Sequence, residues 1–560
     1  MSSSVDLLPT ETPARRTAAR LPAILALLLS AATFVVGLTY ATTAASGADA
    51  YGYVSQADMW LEGRLTVDQT WMAAAEWPMA RWTLTPLGYR PSDLVEQAWH
   101  IVPMYSPGLP LLMAGAKAIG GQELIFWVVP LSGAVLVLAT FGIGCRLISA
   151  GGGLIAAWLL ATSPTVLFML MAPMSDVPVA AAWAASFYFL LDRRASRAAA
   201  AGAAAALAIL IRPNLVFVAA IFGLVYVFRL VRADTPRRDT LLQGSLFSLG
   251  VVAGACGIAA LNWILNGSPF VSGYGSLSEA FSSDHIWPNL TRYVRWTGET
   301  QSPLVFVGAV ALLVPLRRLW PAARQRSALL LMAPVVATVF LFYLLYRVYD
   351  EWWFLRFVLT AWPFLMLGTG AVLAAAGRIG RPAGVLVTLA TLALGIWQIT
   401  VAADRSAFNL WMEERRYVTV GQAVGRLTDQ QSVIFAMQHS GSIRYYAGRM
   451  TLRQDAFDGA WIDRVVAWYA LRGIKSYMVL DDWEVPAAQE RFSHLETGKR
   501  LLERPLFRYE GTSKVFFWQL NEPRDPFAPE EVIRDDYADT RSVEPAPFVP
   551  LRLLPEDARP

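Results

Sequence analysis

Apolar residues in this chain fall into long unbroken blocks, not into the alternating or three-to-four-residue spacing of a water-soluble core. Blocks at 21–43, 124–145, 151–171, 176–191, 197–211, 214–230, 241–264, 302–316, 327–346, 356–376 and 384–402 come near the ~20 residues that carry a helix across a bilayer. They predict a mainly α, polytopic membrane protein with about 11 transmembrane helices, 11–13 as bounds. One more apolar run, 107–120, is shorter than a span requires. After residue 402 the pattern changes. "SVIFAMQHSGSIRYYAG", "IKSYMVLDD" and "VFFWQL" have strand-like apolar centres, and "AWIDRVVAWYALRG" has helical spacing. These predict a small α/β domain over 403–520. From Asn521 to Pro560 the chain is rich in proline and acid, and is expected to be irregular or disordered.

Charge orients the blocks. "DRRASR" (192–197), "RLVRADTPRRD" (229–239), "RRLWPAARQR" (317–326) and "GRIGRP" (377–382) are arginine clusters that the positive-inside rule assigns to the cytoplasm. Arg15, Arg16 and Arg20 place the tail 1–20 there too, and the run behind them exceeds a signal-peptide core, so it reads as a retained first span. Working backward from Arg193, the whole stretch 44–123 is external, and 107–120 lies along or dips into the outer interface. The alternative, 107–120 as a full span, needs another re-entrant segment to restore parity. An odd number of crossings leaves everything after 402 extracytoplasmic.

Composition agrees: 55% of residues are apolar and only 16% charged, where soluble domains carry roughly 25%, and mean hydropathy is +0.41. A net charge of +4 gives no reason to invoke nucleic acid. Cys145 and Cys256 both sit in apolar blocks, and His100, His285, His439 and His494 are scattered singly, so neither a disulfide framework nor a thiol or imidazole metal site is suggested. The Ala- and Arg-rich, Lys-poor composition points to a GC-rich bacterial genome and hence a bacterial plasma membrane.

With this topology the polar, aromatic segments collect on the external side. They are 44–106, "MAPMSDVP" (171–178), "LIRPNL" (210–215), 265–300 and "YRVYDEWWFLR" (346–356). Five chain-distant segments meeting on one face predict a cavity there, and ionisable residues at such depth are functional candidates. Asp49, Tyr51 and Tyr53 follow the first span directly. His100 and Tyr105 end the first loop. Asp176 stands before Pro178 as either a helix cap or a substrate contact. Arg212 either grips an anion or snorkels to headgroups. Asp284 and His285 lie in a loop with an amphipathic helix that covers the cavity. Arg356 either binds a phosphate or pairs with Asp350 or Glu351. In the C-terminal region, Gln438-His439-Ser440 follows a strand but lacks the Gly-x-Ser-x-Gly elbow of a nucleophile, so acceptor binding or support of the loops is the better reading.

The stretch "GADAYGYVSQADMWLEGRL" (47–65) resembles the start of the GT-C glycosyltransferases, in particular the bacterial relatives of protein O-mannosyltransferases and the lipid A aminoarabinose transferases. "HIVPMYSPGLPLLMAGAKAIGG" resembles that family's proline-bearing juxtamembrane stretch. "ATSPTVLFMLMAPMSDVPVAAAWAASFYFLL" resembles its Ser-Pro then Asp-x-Pro hairpin. "EWWFLRFVLTAWPFL" resembles its late aromatic-Arg-Tyr segment, with Phe357 where Tyr is common. The resemblance covers most of 20–400. The Lys-Pro-Pro or His-Pro-Pro signature of its closest members appears here as Tyr105-Ser106-Pro107-Gly108, so their substrate preferences are not carried over.

The resemblance implies transfer of a hexosyl or pentosyl group from a polyprenyl-phosphate donor to a glycan, lipid or protein acceptor in the envelope, with inversion. Asp49 is then the general base, and desolvation makes a carboxylate more basic. Arg212 and Arg356 hold the lipid phosphate. Tyr51, Tyr53, His100, Tyr105, Asp176, Asp284, His285 and Glu351 are the candidate substrate contacts. No cofactor is required and no metal ligand set is evident, although a carboxylate-bound divalent cation is compatible with the chemistry. A membrane transporter or lipid flippase is the alternative, and it predicts mid-span polar groups and internal repeats that the sequence does not display.

Overall fold

The computed structural model describes residues 13–232, 236–275, 280–323, 326–456, 458–535 and 540–553. Among the described residues, seven helices are long and apolar enough to cross a membrane: Arg20–Tyr40, Gln122–Leu147, Pro213–Arg232, Arg237–Asn266, Ser327–Leu344, Trp352–Gly377 and Arg381–Asp404. The chain is a multi-pass membrane protein. Its helices differ sharply in how far they are enclosed. Only 11% of the apolar window of Arg237–Asn266 is buried, against 89% for Trp352–Gly377. The first presents its leucines and valines to lipid, and the second runs through the middle of the bundle, where packing rather than the hydrophobic effect holds helices together.

The helices that matter below are named in order: α1 (Pro13–Tyr40), α2 (Asp49–Leu61), α3 (Gly108–Gly120), α4 (Val128–Leu147), α5 (Ala150–Ala161), α6 (Pro164–Leu170), α7 (Asp176–Leu190) and α8 (Ala195–Ile211). The block expected as one span at 151–171 is a bent pair, with 60° between α5 and α6. Pro164 is the cause, since it cannot continue α5 and disfavours helix at the residue before it. Ser163 then caps α6, its side chain accepting from the Val166 amide. The run 107–120 forms α3, a 13-residue helix lying against α2 and α8.

Between α1 and α3 the first loop carries α2 and a three-stranded antiparallel sheet. Its strands are β1 (Val67–Asp68), β2 (Tyr89–Pro91) and β3 (His100–Pro103), in the order β1-β3-β2. The C-terminal unit adds β4 (Ser432–Phe435), β5 (Met450–Leu452), β6 (Lys475–Asp481), β7 (Phe507–Glu510), β8 (Lys514–Gln519) and β9 (Glu531–Arg534). They form one sheet in the order β5-β4-β6-β8-β7-β9. The first three strands are parallel, β8 runs antiparallel to both its neighbours, and β9 is parallel to β7.

Met72, Trp77 and Leu84 of the first loop pack with Phe435, Met450 and Met478 of this sheet in a single apolar core. The first loop is therefore a layer of the C-terminal unit and not a separate lobe. One expectation for the tail needs correcting. β9 lies inside the stretch expected to be irregular, so the sheet extends past residue 520. Residues 540–553 also dock: Ala546 N donates to Tyr445 O at 2.7 Å, and Leu551 is buried. Strand pairing and the tyrosine clefts of the unit supply partners that composition alone did not reveal.

Candidate active site around Asp49

Asp49 opens α2, where a carboxylate is favoured by the free amides of the first turn. The chain reaches it through Gly47 in the left-handed region, at φ +50°. The preceding Ala45 amide is held by the hydroxyl of Tyr446 at 2.7 Å. Tyr446 belongs to α9, our label for the helix Ser440–Ala447 of the C-terminal unit. The same helix touches α2 further along, because Gly441 has no side chain. A Cβ there would lie 2.2 Å from the ring of Tyr51. One turn on, the Tyr445 hydroxyl donates to Asp58 at 2.7 Å. The start and the middle of α2 are thus braced by one short helix from the far end of the chain.

Two groups hold the Asp49 carboxylate. The Tyr105 hydroxyl donates to Oδ1 at 2.5 Å, and the Arg356 guanidinium donates to Oδ2 from both Nη atoms, at 3.0 and 3.1 Å. Tyr105 gets this close because position 52 is glycine; a Cβ on Gly52 would lie 2.3 Å from its ring. Burial first, and then the Asp49 charge, keeps the Tyr105 phenol well above its ordinary range, so it remains a donor. Arg356 lies in an unusually long 3-10 stretch, Trp352–Ala361, that leads into the central helix. Phe354 and Phe357 flank its guanidinium at 5.5 and 5.2 Å. Its Nη1 also reaches the sulfur of Met174 at 3.3 Å.

A second pair stands beside the first. Arg212, which ends α8, donates to Asp176 Oδ1 and to Ser175 Oγ, both at 2.8 Å. Tyr53 closes the circuit: its hydroxyl donates to the same Ser175 Oγ at 3.0 Å, and its ring lies 4.6 Å from that of Tyr105. Tyr274, from the loop after the helix Arg237–Asn266, sits edge-on to Tyr105 at 5.9 Å. The first loop, the 171–178 turn, the 210–215 turn, the loop before residue 276 and the 346–356 turn therefore meet around Asp49. Its side chain keeps 31% of its surface open.

Of the candidate residues, Asp49, Tyr53, Tyr105, Asp176, Arg212 and Arg356 come together, and five do not. Tyr51 points to the opposite face of α2, against Tyr89 and Tyr445. His100 lies on β3 beside Thr66, at 2.9 Å, on that same far side. Asp284 is exposed, and His285 turns back to the Leu345 carbonyl at 3.1 Å. Glu351 is exposed at the start of the 3-10 stretch. Neither acidic neighbour pairs with Arg356, since Asp350 is bound to Arg292 instead. Arg212 is not a snorkelling residue, for it is enclosed by Asp176 and Ser175.

Met174, Ser175 and Tyr274 join the cluster without having been singled out. Ser175 was signalled by its place next to Asp176, whereas Tyr274 carried no local signal. Among the described residues no three His, Cys, Asp or Glu side chains gather as a metal ion would need. The two carboxylates of the cluster are each matched by an arginine.

No family model matches the chain, and no curated protein matches it significantly. Solved structures do. ArnT from Cupriavidus metallidurans bound to undecaprenyl phosphate superposes with a TM-score of 0.53 at 12% identity, covering 89% of this chain and 99% of that one. The oligosaccharyltransferase AglB from Archaeoglobus fulgidus, in complex with an inhibitory peptide and a dolichol-phosphate, gives 0.57 at 12% identity, covering 92% of this chain and 75% of that one. At such identities the likeness is one of architecture, and it agrees with the fold that the GT-C resemblance led us to expect.

Proposed function

We propose that the chain is an integral-membrane glycosyltransferase that moves a sugar from a polyprenyl-phosphate donor to an envelope acceptor at the external face. The observation that carries this reading is the Asp49 carboxylate, partly open and held by Tyr105 and Arg356, with a second arginine, Arg212, bonded to the Ser175 hydroxyl that also accepts from Tyr53, whose ring packs on Tyr105. Fold partners that bind undecaprenyl phosphate and a dolichol-phosphate support the donor class. In this reading the shorter apolar helices α7, α8 and Leu304–Leu313 also cross, beside the seven long helices and the bent pair α5–α6, and an odd total puts the Asp49 end outside and the arginine clusters inside.

In this mechanism the acceptor hydroxyl oxygen attacks the anomeric carbon from the face opposite the phosphate. The new C–O bond forms as the bond to phosphate oxygen breaks, the leaving electron pair stays on the lipid phosphate, and the configuration inverts. Asp49 takes the hydroxyl proton. As found, both its oxygens are engaged, so it must first be released by one partner. The donor phosphate provides the means, because it competes for Arg356, whose Nε has no partner among the described residues. Donor binding and unmasking of the base are then one event, and the arginines neutralise the departing phosphate. These steps use no metal.

Asp49→Asn is the direct test, assayed as consumption of lipid-phosphate-linked sugar in membranes and as envelope glycans by mass spectrometry. Loss of transfer on the order of a thousandfold, with normal expression, is the expected result for removal of a general base. Turnover retained in that variant would remove Asp49 from the chemistry.

A further inference from the structure

The back of α2 faces a second opening. A cleft of about 760 Å³ lies between the first loop and the C-terminal unit, on the side of α2 away from Asp49. Helical phase separates the two sides: Asp49 and Tyr53 share one face, while Tyr51, Ser55 and Asp58 share the other. Residues of the docked segment 540–553, from Pro545 to Pro550, line it, and the Phe548 ring lies 5.7 Å from the Arg444 guanidinium. The comparisons and the proposed reaction leave this space unassigned.

Its floor contains an unusual charge. Arg444, on α9, is 7% exposed. Its Nε donates to Thr451 Oγ1 at 2.8 Å, and its Nη2 to the Leu84 carbonyl at 2.5 Å. No carboxylate pairs with it among the described residues. Burial without a counter-ion draws its pKa down to about 10, opposed only weakly by the nearby hydroxyls of Tyr51, Tyr469 and Tyr89. A buried guanidinium without an anion is costly. The acids around the mouth have partners of their own: Asp58 pairs with Lys117 at 2.9 Å, Glu62 with Arg64, and Asp68 lies 3.7 Å from the His100 ring. The cleft thus offers an Arg444 charge with neutral partners only, among them the Thr451 carbonyl at 3.3 Å, the Met450 sulfur at 3.4 Å and the Phe548 ring at 5.7 Å, and with no counter-ion among the described residues, in a space large enough for several sugar rings.

We propose that this cleft binds an acidic saccharide segment, its anionic group on Arg444 and its hydroxyls on Tyr51, Ser55 and the rim carboxylates. An arginine fork recognises a carboxylate or phosphate, while tyrosines and carboxylates suit the apolar faces and hydroxyls of a sugar ring. Under the glycosyltransferase reading, on which this role rests, the bound segment belongs to the acceptor glycan. It is then gripped behind the helix that carries the base, and the enzyme extends or decorates an anionic polymer.

The test is binding by the purified full-length protein, followed by calorimetry in detergent, with three probes: a glucuronate-containing tetrasaccharide (hyaluronan tetrasaccharide), neutral chitotetraose and inorganic phosphate. The acidic tetrasaccharide is expected to bind at least about tenfold more tightly than the neutral one, the margin of one charge-assisted contact, and phosphate alone to bind weakly. Arg444→Gln should abolish that preference. Phe548→Ala, which removes a ring packed on Trp71 and over the Arg444 guanidinium, should weaken the acidic probe several-fold, whereas Phe548→Leu, which keeps most of the apolar contact, should melt like the parent and still weaken it. Asp49→Asn should bind it like the parent, which separates this site from the reaction: loss of transfer with binding retained leaves the cleft proposal standing. Equal affinity for acidic and neutral tetrasaccharides, phosphate binding as tight as the saccharide, or no effect of Phe548→Ala overturns it.

Discussion

Arg356–Asp49 and Arg212–Asp176 are the same ion pair in two settings. Asp176 is 1% exposed and Asp49 31%, while both arginines are 15% exposed. Asp49 has both oxygens engaged by donors from outside its own helix. Asp176 has one oxygen on Arg212, and its Oδ2 has no partner among the described residues. A pair sealed from water is costly to break, because the survivor remains charged and dry, whereas an open pair exchanges partners at little cost. The difference suggests a division of labour: the sealed pair ties the start of α7 to the end of α8 and fixes Arg212, and the open pair leaves its carboxylate free to change partners.

Breaking each pair in turn gives the largest contrasts. Asp49→Asn is expected to abolish transfer while lowering stability by only ~1 kcal/mol, as for a half-open pair. Asp176→Asn should do the reverse in the stability assay. It strands a buried guanidinium and costs about 3 kcal/mol, read as a fall in the detergent-solubilised melting temperature. If the two variants melt alike, the assignment of one pair to structure fails. Arg356→Lys keeps the charge but loses the two-pronged grip. A drop in kcat/KM for the lipid donor of about a hundredfold is expected, the loss typical of removing one transition-state donor.

Gly52→Ala probes the Tyr105 arm, because the new methyl group must displace that ring. An overpacking cost of ~1–2 kcal/mol and a lowered kcat with little change in KM are expected.

A carboxyl without an arginine sharpens the contrast last. Glu484 is 5% exposed, and burial, aided by nearby Asp481, pushes its pKa up to about 7. The folded value exceeds the ordinary one, so its stabilising contribution is complete below the usual carboxyl range and is lost as pH rises through about 7. Between about pH 6 and 7.5 the parent should lose on the order of 1 kcal/mol that Glu484→Gln does not, measured by chemical unfolding at each pH.

Much of this was readable in the sequence. Block hydrophobicity and arginine clusters locate the helices and bring the polar turns to one end, which is why Asp49, Asp176, Arg212 and Arg356 emerge as candidates. Partner choice was not readable. Arg356 and Asp49 are 307 residues apart, so near-sequence reasoning offers Asp350 and Glu351, which the 3-10 stretch turns away. Tyr51 and Tyr53 look equivalent in "DAYGY" until the helix is known to begin at Asp49, after which its phase sends them to opposite faces. The strand at 531–534 was hidden by its proline-rich surroundings, although Arg415 and Asp535 hold its end in place at 3.0 Å. Local composition registers flexibility, and long-range pairing overrides it.

The brace on α2 bears on how the protein is made. Asp58 and the Tyr445 that secures it are separated by 387 residues. During synthesis the carboxylate helix emerges early and waits, unsupported, until nearly four-fifths of the polypeptide has been threaded through the bilayer. A product terminated before Tyr445 therefore possesses every residue that meets around Asp49 yet lacks the splint that aligns α2.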